Sequence, residues 1–383
     1  MVLGMRLLAY VSAVQALAPL MPMAPQLSTE MKKVQLGSSD LFVSEVCLGT
    51  MTWGKQNTLE EGVLQLNEAV DSMGINFIDT AEMYPVPTEA ATQGATDRCI
   101  GEWLKRRGKR DDVVIASKVC GYSDRITWLR DDKASSRVNR KQILESVDKT
   151  LERLDSDYID LLQIHWPDRY VSLFGGGSYA KALERPDSVP FEEQLSALQE
   201  VIASGKVRHI GVSNETPYGV CKFAEMAEYK SLPKICSIQN SYSLLVRSDF
   251  ESGLTEVCSQ TDVGLLAYSP LAGGILTGKY ATESPPKEAR LNLFPGFMDR
   301  YQQSTAREAV DKYIGIAKTY EMTPAQLALA WCYSRPHVTS TIIGETSIEQ
   351  LRENAGAYSI ELPAEALAEI EDVYRRYRDP SKA

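Results

Sequence analysis

Eight short apolar runs rich in β-branched residues, each followed by a turn and an amphipathic stretch, constrain this chain more than any other feature of its sequence. They lie at 46–50, 75–80, 113–119, 158–164, 207–213, 235–240, 263–270 and 338–344. Each run is continuously apolar rather than alternating, the pattern of a strand covered on both faces in a parallel sheet. Helical periodicity fills the gaps, as over 59–73, 140–154 and 192–203. Alternating β and α units predict a parallel sheet. Eight of them close a barrel, whereas a doubly wound sheet needs fewer strands and a switch point. The predicted fold is therefore α/β, a (β/α)8 TIM barrel. Residues 33–43 read as an N-terminal hairpin whose polar turn could plug the barrel floor. Two further helices, at 347–355 and 364–375, close the chain.

A length of 383 residues does not choose between one domain and two. The unbroken alternation assigns residues 31–378 to a single barrel domain. Hydrophobic residues make up 44% and charged residues 24%, ordinary values that exclude a disordered or collagenous chain. A net charge of -10 without a Lys/Arg stripe argues against a nucleic-acid partner. The cysteines (Cys47, Cys99, Cys120, Cys221, Cys236, Cys258 and Cys332) are scattered singly, without C-x-x-C pairs, which reads as a reduced chain with no zinc ribbon. His165, His209 and His337 are too far apart for a short metal cluster, so no metal is expected. Residues 1–30 differ from the rest. Arg6 is their single basic residue, and the apolar stretch at 7–20 is too short and too Pro-interrupted to span a bilayer. Two readings stand side by side: a targeting leader with a processing zone at 14–19, and an untargeted disordered extension. The first places the protein in a plastid or other organelle and the second in the cytoplasm. No membrane partner is expected.

Barrel enzymes place their chemistry at the C-terminal ends of the strands. Asp79 ends the second run, Tyr84 stands just beyond it, Lys118 ends the third, and His165 follows the fourth. Reduction of a carbonyl needs a proton donor to the developing alkoxide, and a free tyrosine with a pKa near 10 is a poor one at neutral pH. A neighbouring ammonium is expected to lower that pKa, an aspartate to fix the lysine, and a histidine to place a donor near the oxygen. Each residue also has a plain structural reading. Asp79 could be the N-cap of a helix after Thr80. Lys118 needs a carboxylate whether or not it is catalytic, and His165 could be a satisfied core histidine. Four such residues at one rim outweigh the separate readings.

The segments GINFIDTAEMY (74–84) and LQIHWP (162–167) resemble the aldo-keto reductase superfamily, and the likeness extends over nearly all of 32–375. EMYPVP (82–87), GVSNET (211–216) and QNSYSLL (239–245) bring it nearest to the Tas-like reductases. The resemblance implies an NADP(H)-dependent oxidoreductase acting on aldehydes or ketones. Tyr84 would be the general acid, Lys118 and Asp79 would tune it, and His165 would orient the carbonyl. It also implies NADPH extended across the mouth without a Rossmann fold; GGILTG (273–278) has the wrong spacing for that motif. Carried over residue by residue, Ser213, Asn214 and Gln239 would bind the carboxamide, with Asp79 and the first-loop residues Thr50, Met51 and Gln56 nearby. Tyr268 would stack on the nicotinamide, and the loop of Ser269, Pro270, Leu271 and Gly273 would offer backbone donors to the pyrophosphate. Thr346 and Gln350, with Lys279 and Arg290, would meet the adenosine 2′-phosphate, Glu353 and Asn354 the adenine, and Gly344 would also bind the cofactor. A lysine with a fork-shaped arginine suits a dianionic phosphate. Many relatives carry an arginine in the last-strand motif, where this chain has Gly344-Glu345-Thr346-Ser347; an inward-pointing Glu345 would oppose the phosphate. Long connections at 167–190 and 279–303 are expected to shape the substrate pocket, with Trp53, Trp166, Phe174 and Phe297 as an apolar wall. Such a wall favours aromatic or medium-chain aldehydes over sugars. The competing function is that of a cofactor-sensing regulatory protein like the potassium-channel beta subunits, which share this barrel and tetrad.

Overall fold

The computed structural model describes residues 30–174 and 176–382, so the segment read as a leader lies, except for Glu30, outside the described residues. A two-stranded antiparallel hairpin, β1 (Lys33–Gln35) and β2 (Phe42–Ser44), precedes the barrel. The barrel strands are β3 (Val46–Gly49), β4 (Phe77–Asp79), β5 (Val114–Val119), β6 (Ile159–Ile164), β7 (Val207–Ser213), β8 (Ile235–Ser241), β9 (Gly264–Tyr268) and β10 (Val338–Ile343). They pair in parallel in sequence order, and β10 returns to β3 to close the barrel. The helices are α1 (Leu59–Asn67), α2 (Ala95–Arg107), α3 (Arg140–Leu154), α4 (Phe191–Ala203), α5 (Pro217–Lys230), α6 (Thr255–Thr261), α7 (Arg290–Leu293), α8 (Ser304–Thr319), α9 (Pro324–Tyr333), α10 (Ile348–Gly356) and α11 (Ala364–Arg376). None is long and apolar enough to cross a membrane among the described residues.

Local chemistry sets the boundaries. Thr58 and Glu61 form a reciprocal capping box at α1, and Thr323 and Gln326 form another at α9. Thr216 caps α5 with Pro217 at its first position, where the missing N–H costs nothing. The helix read at 59–73 continues past α1 as a wider turn over Glu68–Ser72. Of the run read at 75–80 the strand proper is Phe77–Asp79, and before it the Asn76 side chain accepts from Ser44 N–H at 2.7 Å and donates to the Phe42 carbonyl at 2.9 Å. Those bonds stitch the hairpin to the barrel.

Side chains on the outer face of the strands, such as Leu48, Ile78 and Ile115, join the helices in one large core. A second cluster fills the lower interior, where hairpin residues Leu36, Leu41 and Val43 meet Cys47, Phe77, Leu161 and Leu266 from the strands. The hairpin therefore plugs the floor. At its turn Gly37 adopts φ +50°, and a Cβ there would lie 2.2 Å from the Cys236 carbonyl oxygen, so a side chain would lift the plug from its seat.

Candidate active site

Parallel strand ends share one rim, and β4, β5 and β6 bring four side chains together on it. Asp79 ends β4, Lys118 is the last residue but one of β5, His165 follows β6, and Tyr84 stands on the loop after β4. Lys118 Nζ donates to Asp79 Oδ2 at 2.6 Å and to the Thr80 carbonyl at 2.8 Å, and lies 3.5 Å from Tyr84 Oη. The His165 ring meets the Tyr84 ring edge-on, centroids 5.8 Å apart. The other Asp79 oxygen accepts from Gln239 Nε2 at 2.7 Å. Asp79 is thus not a helix cap; the next helix, α2, begins after Gly94. Nor is His165 a satisfied core histidine, since its Nδ1 is buried without a partner among the described residues.

Burial pushes the Tyr84 phenol well above the ordinary tyrosine range, and the Asp79 charge adds to the shift. The sequence reading had Lys118 lowering it. The outcome is opposite because burial and the Asp79 charge outweigh the pull of an ammonium that bonds Asp79 and Thr80 and stands farther from the hydroxyl. Tyr84 is accordingly held as a neutral phenol, a weaker acid than free tyrosine. Burial, then the Lys118 charge, pushes His165 well below the usual histidine range and keeps its imidazole neutral at physiological pH.

A second buried pair braces the Tyr84 loop. Arg130 forks onto Glu82 at 2.7 and 2.8 Å, and Glu82 Oε1 also accepts from Cys120 N–H at 2.7 Å. Burial works against the Glu82 carboxylate, but Arg130 outweighs it and holds the group below its ordinary value. Residues 82–84 are thereby tied to the loops after β5.

The rim opens into a cavity of about 1330 Å3. Asp79, Tyr84 and His165 line it, together with Met51 and Gln56 from the first loop. Around the wall follow Ser213, Asn214, Gln239 and Tyr268, then Ser269, Pro270, Leu271 and Gly273, then Lys279 and Arg290, and finally Gly344, Thr346, Gln350, Glu353 and Asn354. Lys118 and Thr50 stand behind this wall, fully buried, and the Thr50 hydroxyl donates to the Asp79 carbonyl at 2.8 Å. The amide side chains are already engaged. Asn214 Nδ2 donates to the His165 carbonyl at 2.9 Å, its Oδ1 accepts from the Tyr268 hydroxyl at 2.6 Å, and Ser213 Oγ donates to the Gln239 carbonyl at 2.8 Å. After β9 the backbone is left-handed at Ser269, Ala272, Gly273 and Gly274. A Cβ on Gly274 would come within 2.9 Å of Lys279 Cε, so glycine keeps that loop open beside the lysine. Neither Lys279 nor Arg290 has an ion-pair partner among the described residues; Arg290 Nε reaches Gln56 Oε1 at 3.4 Å. Burial lowers both, and their mutual repulsion lowers Lys279 further.

Trp166, Phe174 and Phe297 line the other arm of the cavity, with Tyr122, Ile126, Met298 and Arg300. Trp53 does not belong to it; it packs fully buried beneath α1, with its indole N–H on Gln65 at 3.2 Å. The last four lining residues were not singled out from the sequence, where they sit in irregular loops without a pattern. The insert after β6 is held at its root by Asp168. This buried carboxylate takes Arg137 Nε at 2.9 Å, Val138 N–H at 3.0 Å, Val189 N–H at 2.8 Å and Arg185 Nη2 at 3.2 Å.

Glu345 does not point into the cavity. Two residues past β10, it turns behind the strand, 1% exposed, and accepts from Asn354 Nδ2 at 2.8 Å. It therefore makes no contact with the cavity that Gly344 and Thr346 line.

The sequence pattern of the Aldo/keto reductase family matches residues 45–375. Protein tas of Escherichia coli is 45% identical over 344 residues, covering 90% of this chain and 97% of that protein. A protein of Babesia bovis named aldo-keto reductase is 42% identical over 280 residues, 70% of this chain and 98% of its own length. A probable voltage-gated potassium channel subunit beta of Arabidopsis thaliana is 30% identical over 339 residues, 86% of this chain and 92% of its own.

Proposed function

This chain belongs to the aldo/keto reductase family of oxidoreductases, and on that premise we propose that residues 31–378 form an NADPH-dependent reductase of aldehydes and ketones, with Tyr84 as its general acid. The observation that carries this reading is the Lys118 ammonium, fully buried, 2.6 Å from Asp79 and 3.5 Å from the Tyr84 hydroxyl at a cavity wall. A bound reduced nicotinamide supplies the hydride. Tyr84, held protonated by burial, hands its proton to the alkoxide oxygen as it forms. Lys118 then stabilises the tyrosinate that remains, and Asp79 keeps the ammonium in place. His165, neutral and facing the same space, orients the carbonyl oxygen.

The cavity fits a dinucleotide on its own chemistry. Its volume of about 1330 Å3 exceeds the roughly 300–1000 Å3 of common small-molecule pockets, enough for a dinucleotide beside a carbonyl compound. The left-handed loop at Ser269, Ala272, Gly273 and Gly274, whose Ala272 and Gly274 N–H groups bond the Ser269 and Leu271 carbonyls at 2.8 Å, lies beside the cations Lys279 and Arg290, which suit a pyrophosphate and the 2′-phosphate. Thr346 and Gln350 stand at the N-terminus of α10, where the dipole also favours an anion. The apolar arm around Trp166, Phe174 and Phe297 favours aromatic or medium-chain carbonyl compounds.

The test is to mix the protein with NADPH or NADH and a panel of aldehydes and ketones, following absorbance of the reduced nicotinamide. Oxidation of NADPH that depends on the carbonyl is the expected result. Binding of NADPH that no carbonyl ever discharges, with a protein partner copurifying, would overturn the reductase in favour of a cofactor-sensing regulatory role.

A further inference from the structure

Beside the adenosine end of the cavity lies a carboxyl group that the proposed reaction does not use. Glu345 is 1% exposed, two residues past β10. One oxygen accepts from Asn354 Nδ2 at 2.8 Å, and the other is buried without a partner among the described residues. Asn354 lines the cavity on α10, and Tyr333 at the end of α9 donates to its backbone carbonyl at 2.9 Å. Among the described residues, Tyr333 from α9, Cys47 from β3 and Arg290 from α7 lie within electrostatic reach of Glu345. Burial holds Tyr333 and Cys47 well above their ordinary values, so both are neutral, and Arg290 is the cation. Arg290 also lines the cavity, beside Lys279.

We propose that Glu345 is a specificity-determining residue, acting through Asn354 and Arg290, whose charge sets how strongly the adenosine end prefers a 2′-phosphorylated dinucleotide over an unphosphorylated one. This rests on the nicotinamide-dinucleotide reading of the cavity. Because the group is out of contact with the cavity, it acts as a positioning charge and not as a ligand. Ionised, it neutralises part of the Arg290 field and repels the extra phosphate of NADPH, which NADH lacks; protonated, it does neither. Burial raises its pKa to about 7, against the opposing pulls of Asn354 and Arg290, which places the change of charge inside the working range of pH. A bound 2′-phosphate raises that pKa further, so NADPH binding takes up a proton above neutrality and weakens as pH rises. The phosphate's own second ionisation, near pH 6, works in the opposite sense, since a fuller charge binds Arg290 and Lys279 better.

The experiment measures Kd for NADPH and NADH by fluorescence quenching from pH 6 to 8.5, on the full chain and on Glu345→Gln and Glu345→Ala. In the unaltered protein the ratio of Kd for NADPH to Kd for NADH should rise by roughly tenfold across this range, the scale of one charge acting through a partly hydrated cavity. Both variants should lose the rise and prefer NADPH more strongly at pH 8.5. A ratio that stays flat in the unaltered protein while both nucleotides bind overturns this inference alone, whatever the variants do. A rise of that ratio with pH kept in Glu345→Gln overturns it as well. If neither nucleotide binds, the dinucleotide reading fails with it.

Discussion

Replacing Lys118 by Met tests the electrostatic unit at the centre of the site. The lysine side chain has no exposed surface and that of Asp79 is 4% exposed, so the change strands a carboxylate in the barrel. Its remaining side-chain partner is Gln239 at 2.7 Å. An uncompensated buried charge of this kind costs about 3 to 5 kcal/mol. Methionine fills most of the lysine volume with an apolar chain, so the loss is electrostatic and not the cost of a cavity. Asp79→Leu strands the ammonium instead, leaving it the Thr80 carbonyl at 2.8 Å, and should cost a comparable amount. The double variant removes both charges and should cost far less than the sum of the singles, with a coupling of about 2 to 3 kcal/mol. Guanidinium chloride denaturation, followed by tryptophan fluorescence and circular dichroism with both signals tracing one transition, gives all three values. A cost for Lys118→Met below about 1 kcal/mol, or strict additivity in the cycle, would refute the reasoning. The pair would then behave as a surface ion pair does, and the support it lends to Tyr84 would lose its basis.

Tyr84→Phe removes one hydroxyl and leaves the Lys118–Asp79 bond in place, so turnover should fall by about 10²- to 10⁴-fold while the NADPH Kd moves less than about twofold; stopped-flow reduction and fluorescence titration separate the two. His165 has its folded pKa below its unfolded value, so its stabilising contribution is complete above about pH 6.5 and falls as pH drops through that value. Below it, unfolding free energy should fall by about 1.4 kcal/mol per pH unit from this group, and His165→Asn should flatten that part of the profile; an unchanged slope would locate the titration elsewhere. Glu345 has the opposite sign, its folded pKa of about 7 standing above the ordinary 4.5. The folded state therefore loses stability as pH rises from about 4.5 through 7, on the order of 3 kcal/mol in all. Glu345→Gln should be the more stable protein at pH 8 by about that amount and lose its advantage near pH 5 in the same denaturation assay.

The barrel was legible because its strands are covered on both faces, which writes each as an unbroken apolar run; those of β5, β6, β7 and β10 agree with the structure to within a residue or so. The rim residues were legible once the barrel was, since a strand end fixes where a side chain can act. Signals that depend on side-chain direction were not. Trp53 reads like the wall residue Trp166, yet it turns beneath α1. Glu345 sits in a motif that faces the cavity, yet its own side chain turns behind the strand. The ionisation of Tyr84 could not be read from the presence of a lysine, because it depends on which neighbour that lysine bonds. Tyr122, Met298 and Arg300 come from connections without period, where sequence says that a loop exists and little about which way it folds.

Asp168 has a consequence for how such a site can change over time. By gripping Val138 at one side and Val189 at the far end of the insert, it works as a clasp that closes the loop at its root. Beyond a clasp, chain length is cheap: doubling a closed loop adds only about 0.6 kcal/mol of ordering entropy. Residues between the two ends can be lengthened, shortened or exchanged while the strand that precedes His165 stays where it is. The wall that the insert supplies and the rim beside it are thus separately heritable, joined through Asp168 and through the Arg169–Glu215 and Arg137–Asp187 pairs.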